Sequence, residues 1–198
     1  MISGRRFLAR VLIAAAPLLL APLAPGAADA PAWDFVRLMA ELAQVQTSEA
    51  RYSEVRHVAM LQRPLELSGT LRYTRPARIE KLQTRPFREL VRVDEDTLTL
   101  ERDGKTRSVV LRNVPLVGAL VESLRATLAG DATELERLYH VSMDGSREGW
   151  RLKLTPREIE VAGIVREINI SGAGARVGRI EILESGGDRS VMTIREAS

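Results

Sequence analysis

The densest concentration of chemically capable side chains lies between residues 51 and 93, where ten basic residues stand against four acids. The local net of +6 suits contact with anionic lipid headgroups, glycans or an acidic partner surface. The alternative is a solvated arginine-rich face neutralised by Asp94-Glu95-Asp96 and its neighbours. No aromatic residues interleave with these charges in a stacking pattern, so nucleic acid is not an expected partner. Other chemistry is thinly provided. The chain has no cysteine, which excludes disulfides, thiolate catalysis and zinc–thiolate sites. His57 and His140 have no ligand spacing around them, and no metal or cofactor is expected. Gly172-Ala173-Gly174 has G-x-G spacing but lies between strands rather than ahead of a helix, and reads as a turn. No G-x-S-x-G elbow surrounds a serine, and the acids form no pair with catalytic spacing. Together these features point away from an enzyme.

The charge balance separates into two parts. The 198 residues carry a formal net of +3, yet residues 1–28 hold Arg5, Arg6 and Arg10 and no acid. The remaining 170 residues are neutral, with 26 basic and 26 acidic side chains. Arg5, Arg6 and Arg10 precede the apolar run Val11–Leu20, and small residues and prolines follow as far as Pro31. A basic start, a short apolar core and a small-residue exit describe a secretory signal peptide. A membrane span needs about 20 apolar residues, and Pro17 and Pro22 break this run; an uncleaved anchor is the other reading. Cleavage is expected after Gly26-Ala27-Ala28, because the alternative Ala28-Asp29-Ala30 would place Pro31 behind the cut. Residues 1–28 are thus expected to be removed, with 29–198 forming one domain in the periplasm of a Gram-negative bacterium.

The elements that must position the arginine-rich segment follow from hydrophobic period. Phe35, Leu38, Met39, Leu42 and Val45 recur at spacings of three and four, which predicts an amphipathic helix over 33–46. Leu65, Leu67, Gly69, Leu71 and Tyr73 then alternate with polar residues, the cleanest half-buried strand in the chain. Shorter alternations follow at 89–93, 97–100, 108–111, 139–143, 150–154, 159–161, 168–170, 180–182 and 191–193, with turns expected at Asp103-Gly104, Asp144-Gly145 and Ser185–Asp188. Leu116, Leu120, Leu124 and Leu128 predict a helix ending at Gly130, and Asp131-Ala132-Thr133-Glu134 opens a second, shorter helix through Leu138. The expected architecture is α+β: a strongly curved antiparallel sheet of about ten strands, a half-open β-barrel, whose concave apolar face is covered by helices. The space beneath them is either a packed core or an apolar cavity.

Several of these stretches resemble the outer-membrane lipoprotein carrier protein (LolA) family. The resemblance rests on Tyr52-Ser53-Glu54 after the first helix and on Leu67–Tyr73 running into Thr74-Arg75-Pro76. It continues through Val93-Asp94-Glu95-Asp96-Thr97-Leu98 and Trp150–Pro156, with the helical insertion in the corresponding place. It implies a carrier, without covalent chemistry, that binds acyl chains of lipoproteins or another lipid-linked cargo. Such a carrier takes them from an inner-membrane transporter to an outer-membrane acceptor. The family arginine that hydrogen-bonds lid carbonyls matches Arg75. Expected cavity-lining residues are Leu67, Leu71, Tyr73, Leu98, Leu100 and Trp150 from the sheet, with Leu116, Leu120 and Leu124 from the lid. A monomer is expected. The chain departs from the family in its few aromatics, with Arg78-Ile79-Glu80-Lys81 where a tryptophan usually follows Arg-Pro. A divergent relative with a different lipid-linked cargo fits this departure. The competing class is a lipid-sensing or assembly module of the envelope with the same fold.

Overall fold

The computed structural model describes residues 33–196, apart from the side chains of Pro115 and Leu116. The expected signal peptide therefore lies outside the described residues. Eleven strands form one antiparallel sheet: β1 (Thr47–His57), β2 (Leu65–Thr74), β3 (Arg78–Arg85), β4 (Glu89–Asp94), β5 (Thr97–Arg102), β6 (Lys105–Val110), β7 (Tyr139–Ser146), β8 (Gly149–Pro156), β9 (Val165–Ala173), β10 (Arg176–Glu184) and β11 (Arg189–Glu196). Their order across the sheet is β6-β5-β4-β3-β2-β1-β11-β10-β9-β8-β7. Neighbouring strands are consecutive in the chain everywhere except at the centre. There β1 pairs with β11, Tyr52 opposite Ile194, and joins the first strand to the last. Between the edge strands β6 and β7 run the helices α2 (Pro115–Ala129) and α3 (Ala132–Leu138); α1 (Phe35–Leu42) precedes β1.

Two strands go beyond those marked by alternation, and one expected strand is absent. In β1 the inward residues are Ala50, Tyr52 and Glu54, so a small and a charged residue hide the apolar phase. In β3 the inward row is Ile79, Lys81 and Gln83, which lie opposite Tyr73, Leu71 and Gly69. The expected strand at 159–161 is instead the single helical turn α4 (Ile159–Ala162). Its amides bond locally, Ala162 to the Glu158 carbonyl and Gly163 to that of Ile159, while Ile159 points to solvent and Val161 is buried. Asp144-Gly145 is likewise no turn. The β7–β8 ladder continues through Gly145–Trp150 to Ser146–Gly149, which leaves Arg147-Glu148 as the loop. The hairpins at Asp103-Gly104 and Ser185–Asp188 form where expected.

Helix α1 is shorter than its apolar pattern. It opens on Asp34, whose carboxylate accepts from the Arg37 amide at 2.9 Å, and relaxes after Leu42 into i→i−3 bonds from Gln44 and Val45. Leu38, Met39 and Leu42 are fully buried against Trp150, Leu152 and Ile170 of β8 and β9; each such side chain contributes about 1.5–3 kcal/mol. Helix α2 ends as expected at Gly130, with φ +69°. A Cβ there would also lie 2.2 Å from the Met39 carbonyl oxygen, so glycine lets the end of α2 close on α1. Asp131 caps α3 by accepting from the Glu134 amide, whereas the Glu134 carboxylate turns to Arg137 rather than completing a capping box. Gly69 performs a similar service within the sheet. A Cβ there would meet the Leu82 carbonyl at 1.9 Å, beside the register shift between Ser68 and Gly69 that bends β2 against β3.

Among the described residues one charged group is fully inside the sheet's concave face. Glu54 of β1 is 2% exposed and accepts from Lys81 of β3 at 2.6 Å, Arg56 at 2.7 Å and Ser190 of β11 at 2.8 Å. Burial pushes its carboxyl pKa up, but the Lys81 ammonium and the hydrogen bonds from Lys81, Ser190 and Arg56 outweigh this and hold it below the usual glutamate range. Since the folded pKa is the lower one, the contribution is complete above the unfolded value of about 4.3 and is lost as pH falls through the folded value. Glu54→Gln is expected to cost about 2–3 kcal/mol at neutral pH, below the ~3–5 kcal/mol of a fully buried pair because Lys81 and Arg56 keep solvent contact. Denaturant titrations of both proteins should show that gap narrowing as the pH is lowered past the glutamate range. A gap independent of pH would contradict this account.

Candidate functional site

The helices do not fill the whole concave face. Over β8 the packing is complete, but from β9 across β10–β11 to β1–β3 a cavity of about 450 Å³ remains. Both outcomes weighed from the hydrophobic pattern therefore occur, a packed core on one side and an apolar cavity on the other. From above, the cavity is closed by Leu42 and Val45 at the end of α1 and by Leu120, Leu124 and Leu128 of α2. The four-residue spacing of the leucines puts them on one helix face. Beneath lie Leu71 and Tyr73 of β2 and Ile79 of β3. The far wall is Ile168 and Ile170 of β9, Ile180 and Ile182 of β10, and Met192 and Ile194 of β11. Cross-strand pairing explains this isoleucine wall, since Ile180 faces Ile170 and Met192, and Ile182 faces Ile168.

Of the lining residues expected from the sequence, Leu71, Tyr73, Leu120 and Leu124 line this cavity. Leu116 lies outside the described side chains. Four others do not line it. Leu67 has the right phase but sits further along β2, buried opposite Glu54. Leu98 and Leu100 continue the rows of Ile79–Val93 and Lys81–Val91, but on β5, three strands or roughly 14 Å beyond β2 at about 4.8 Å per strand. Trp150 faces inward yet is sealed in the packed core, its indole N–H donating to the Gly174 carbonyl at 2.8 Å. The isoleucines of β9 and β10 are legible as strand residues from their alternation, whereas in β11 Met192 and Ile194 line the cavity rather than the expected alternating residues Val191 and Thr193. The convergence of the three strands depends on which become neighbours, which alternation does not encode.

Arg75 occupies the joint between the two covering helices. Its Nη1 donates to the Ala43 carbonyl at 2.7 Å and to the Ala129 carbonyl at 3.3 Å, while its own amide bonds the Gln46 carbonyl at 2.9 Å. Ala43 and Ala129 stand at the C-terminal ends of α1 and α2, where carbonyls lack intrahelical partners and carry the negative end of the helix dipole. One guanidinium thus satisfies both ends at once. Further ties hold the helices to the sheet. Arg125 of α2 donates to the Glu95 carbonyl at 3.1 Å, Tyr139 to that of Ala119 at 3.2 Å, and Arg147 pairs with Glu41 of α1 at 2.7 Å.

The arginine-rich segment divides in the structure. Arg56 and Lys81 share Glu54, Arg72 pairs with Glu49, Arg78 with Asp94, and Arg92 with Glu80. Cross-strand partners supply most of the neutralisation, and of the acidic trio only Asp94 takes part in these pairs. The glycine-rich stretch is the β9–β10 hairpin, with Gly174 at φ +52°. Among the described residues no group of acids and histidines could hold a metal ion, and no helix is long and apolar enough to cross a membrane.

No curated protein matches the chain. Among solved structures it is similar to a LolA superfamily protein from Nitrosomonas europaea, at 10% identity over 81% of this chain and 90% of that one, with a TM-score of 0.46. It is also similar to the lipoprotein LppX of Mycobacterium tuberculosis (11% identity, 80% and 93% covered, TM-score 0.41). A third likeness is to the MucA/MucB complex of Pseudomonas aeruginosa (14% identity, 82% and 56% covered, TM-score 0.39). The profile of outer membrane lipoprotein carrier protein LolA-like sequences matches residues 27–197, and with nearly all of the described sheet and its covering helices inside that match, the chain belongs to this LolA-like family.

Proposed function

We propose that this protein is a non-enzymatic carrier that takes acyl chains of lipoproteins, or of another lipid-linked cargo, into its cavity and moves them between the inner and outer membranes. The observation that carries the reading is the apolar cavity of about 450 Å³ beneath two helices, within the roughly 300–1,000 Å³ typical of ligand pockets. Burying acyl chain there is worth about 0.8 kcal/mol per methylene, so affinity needs no specific polar partner. On this reading residues 1–28 address the chain to the periplasm and 29–198 remain as the working domain. It receives cargo from an inner-membrane transporter and delivers it to an outer-membrane acceptor. Arg75 is the latch: two charge-assisted hydrogen bonds, each worth about 1.5–3 kcal/mol, close the helices over the cargo and can still be broken at a partner's surface.

Protein purified from a periplasm should carry acyl-chain ligands detectable by native and lipid mass spectrometry, and the emptied form should bind a fluorescent fatty acid. A domain that is reproducibly empty and takes up no fluorescent fatty acid would overturn the carrier reading. Arg75→Leu should speed release of that probe several-fold and lower the unfolding midpoint, because the Ala43 and Ala129 carbonyls lose their shared donor. Unchanged release and unchanged thermal unfolding would remove Arg75 from the latch role.

A further inference from the structure

The cavity contains one feature that acyl binding does not require. Lys81 lines it from β3, and its ammonium is not simply neutralised. Glu54 bears a single negative charge but accepts from two cations, Lys81 and Arg56, and from the Ser190 hydroxyl. The remaining charged residues of the cavity are matched one to one, Arg72 with Glu49 and Arg176 with Glu196. The neighbouring Glu80 and Glu89 are taken by Arg92 and Arg102. Among the described residues around the cavity the Glu54 cluster therefore holds a surplus positive charge, carried by side chains that are 25% (Lys81) and 43% (Arg56) exposed. Lys81 also lies over the Tyr52 ring, 4.9 Å from its centre, which supports the ammonium from below.

A second observation comes from the strand register. Lys81 stands opposite Leu71 in the β2–β3 ladder, and both residues line the cavity. The opposite wall is made of isoleucine and methionine, so the cavity is apolar at one side and cationic at the other.

We propose that the cavity selects amphiphiles bearing a single anionic group, a carboxylate or a phosphate monoester, seated at the Lys81 ammonium with the acyl chain against the β9–β11 wall. The inference rests on the carrier reading and adds a headgroup preference to it. Glu54 keeps Arg56 and Ser190 as partners when Lys81 turns toward the ligand, so the recognition leaves no buried charge unpaired.

The test measures binding of cis-parinaric acid and of its methyl ester to the delipidated protein, above the pKa of the acid, by fluorescence. The acid should bind about tenfold more tightly than the ester. Lys81→Met should abolish that preference, so that the variant binds acid and ester equally, and Lys81→Arg should retain it, which separates lost charge from lost fold. Displacement by palmitate and by lysophosphatidate shows which acidic headgroup is preferred, and methyl palmitate should compete poorly. Equal affinity of the wild-type protein for acid and ester, or a preference that survives Lys81→Met, would overturn the proposal and leave the carrier reading standing. Binding of neither probe would overturn both.

Discussion

Eleven antiparallel strands expose a concave apolar face wider than two short helices can cover. This mismatch governs the rest of the molecule. Helix α1 contributes three fully buried side chains, and they meet β8 and β9 where Trp150, Leu152 and Ile170 already stand. Helix α2 follows β6 in the chain, and its leucines line the cavity together with Leu71 and Tyr73. Packing density in protein interiors leaves few voids larger than a water molecule, so a cavity of 450 Å³ is a deliberate deficit of side-chain volume. It sits where the floor changes from large aromatics to branched aliphatics. The sheet bears the deficit because its own cohesion is independent of the helices: the β1–β11 pairing closes the sheet through eight opposed residue pairs.

The helices must then be held by something other than a continuous apolar contact. Their ends are the natural handles, because the final carbonyls of a helix lack partners within it. Gly130 brings the end of α2 close to Met39 and Ala43, and the resulting pair of carbonyl-rich ends would be a concentration of partial negative charge without a cation. Arg75 supplies that cation from the β2–β3 connection. Proximity of the two helices and the position of the arginine are therefore one feature: a side chain at Gly130 would part the ends, and a neutral residue at Arg75 would leave them facing one another unsatisfied. Within α2, Ser123 and Thr127 donate to the Leu120 and Ser123 carbonyls at 2.7 and 2.8 Å, so their hydroxyls are satisfied by the helix itself.

How much of this was legible in the sequence depends on what each residue reports. Alternation marks β2 because Leu65–Tyr73 is apolar on one face, and the four-residue leucine spacing marks α2. Strands β1 and β3 escape that test because their inward faces hold Glu54, Lys81 and Gln83, polar groups that a half-buried strand ordinarily turns outward. Period two gives the face of a strand residue but not its depth. Trp150 and Leu67 point inward as their phase requires, yet one lies in solid core and the other past the end of the cavity. Ile159 and Val161 show the opposite failure, since two apolar residues two apart also fit one helical turn. Arg75 came from the family resemblance. Its spacing alone describes a strand-end arginine before a proline, and its partners are carbonyls fixed only by the approach of two helices far away in the chain.

The polar residues that blurred β1 and β3 also explain why the cavity lies where it does. Lys81 and Glu54 cannot be packed under leucine without their hydration being replaced, and the structure replaces it with one another, Arg56, Ser190 and the Tyr52 ring. A helix pressed onto this part of the sheet would have to match that pattern of donors and charges, whereas Trp150, Leu152 and Leu154 of β8 accept any apolar surface. Helix α1 therefore settles toward β8, and the charged part of the sheet stays open to the cavity. Space is left above Lys81 because an ammonium is poorly served by aliphatic side chains, and the cavity consequently has branched aliphatics at one end and a cation at the other.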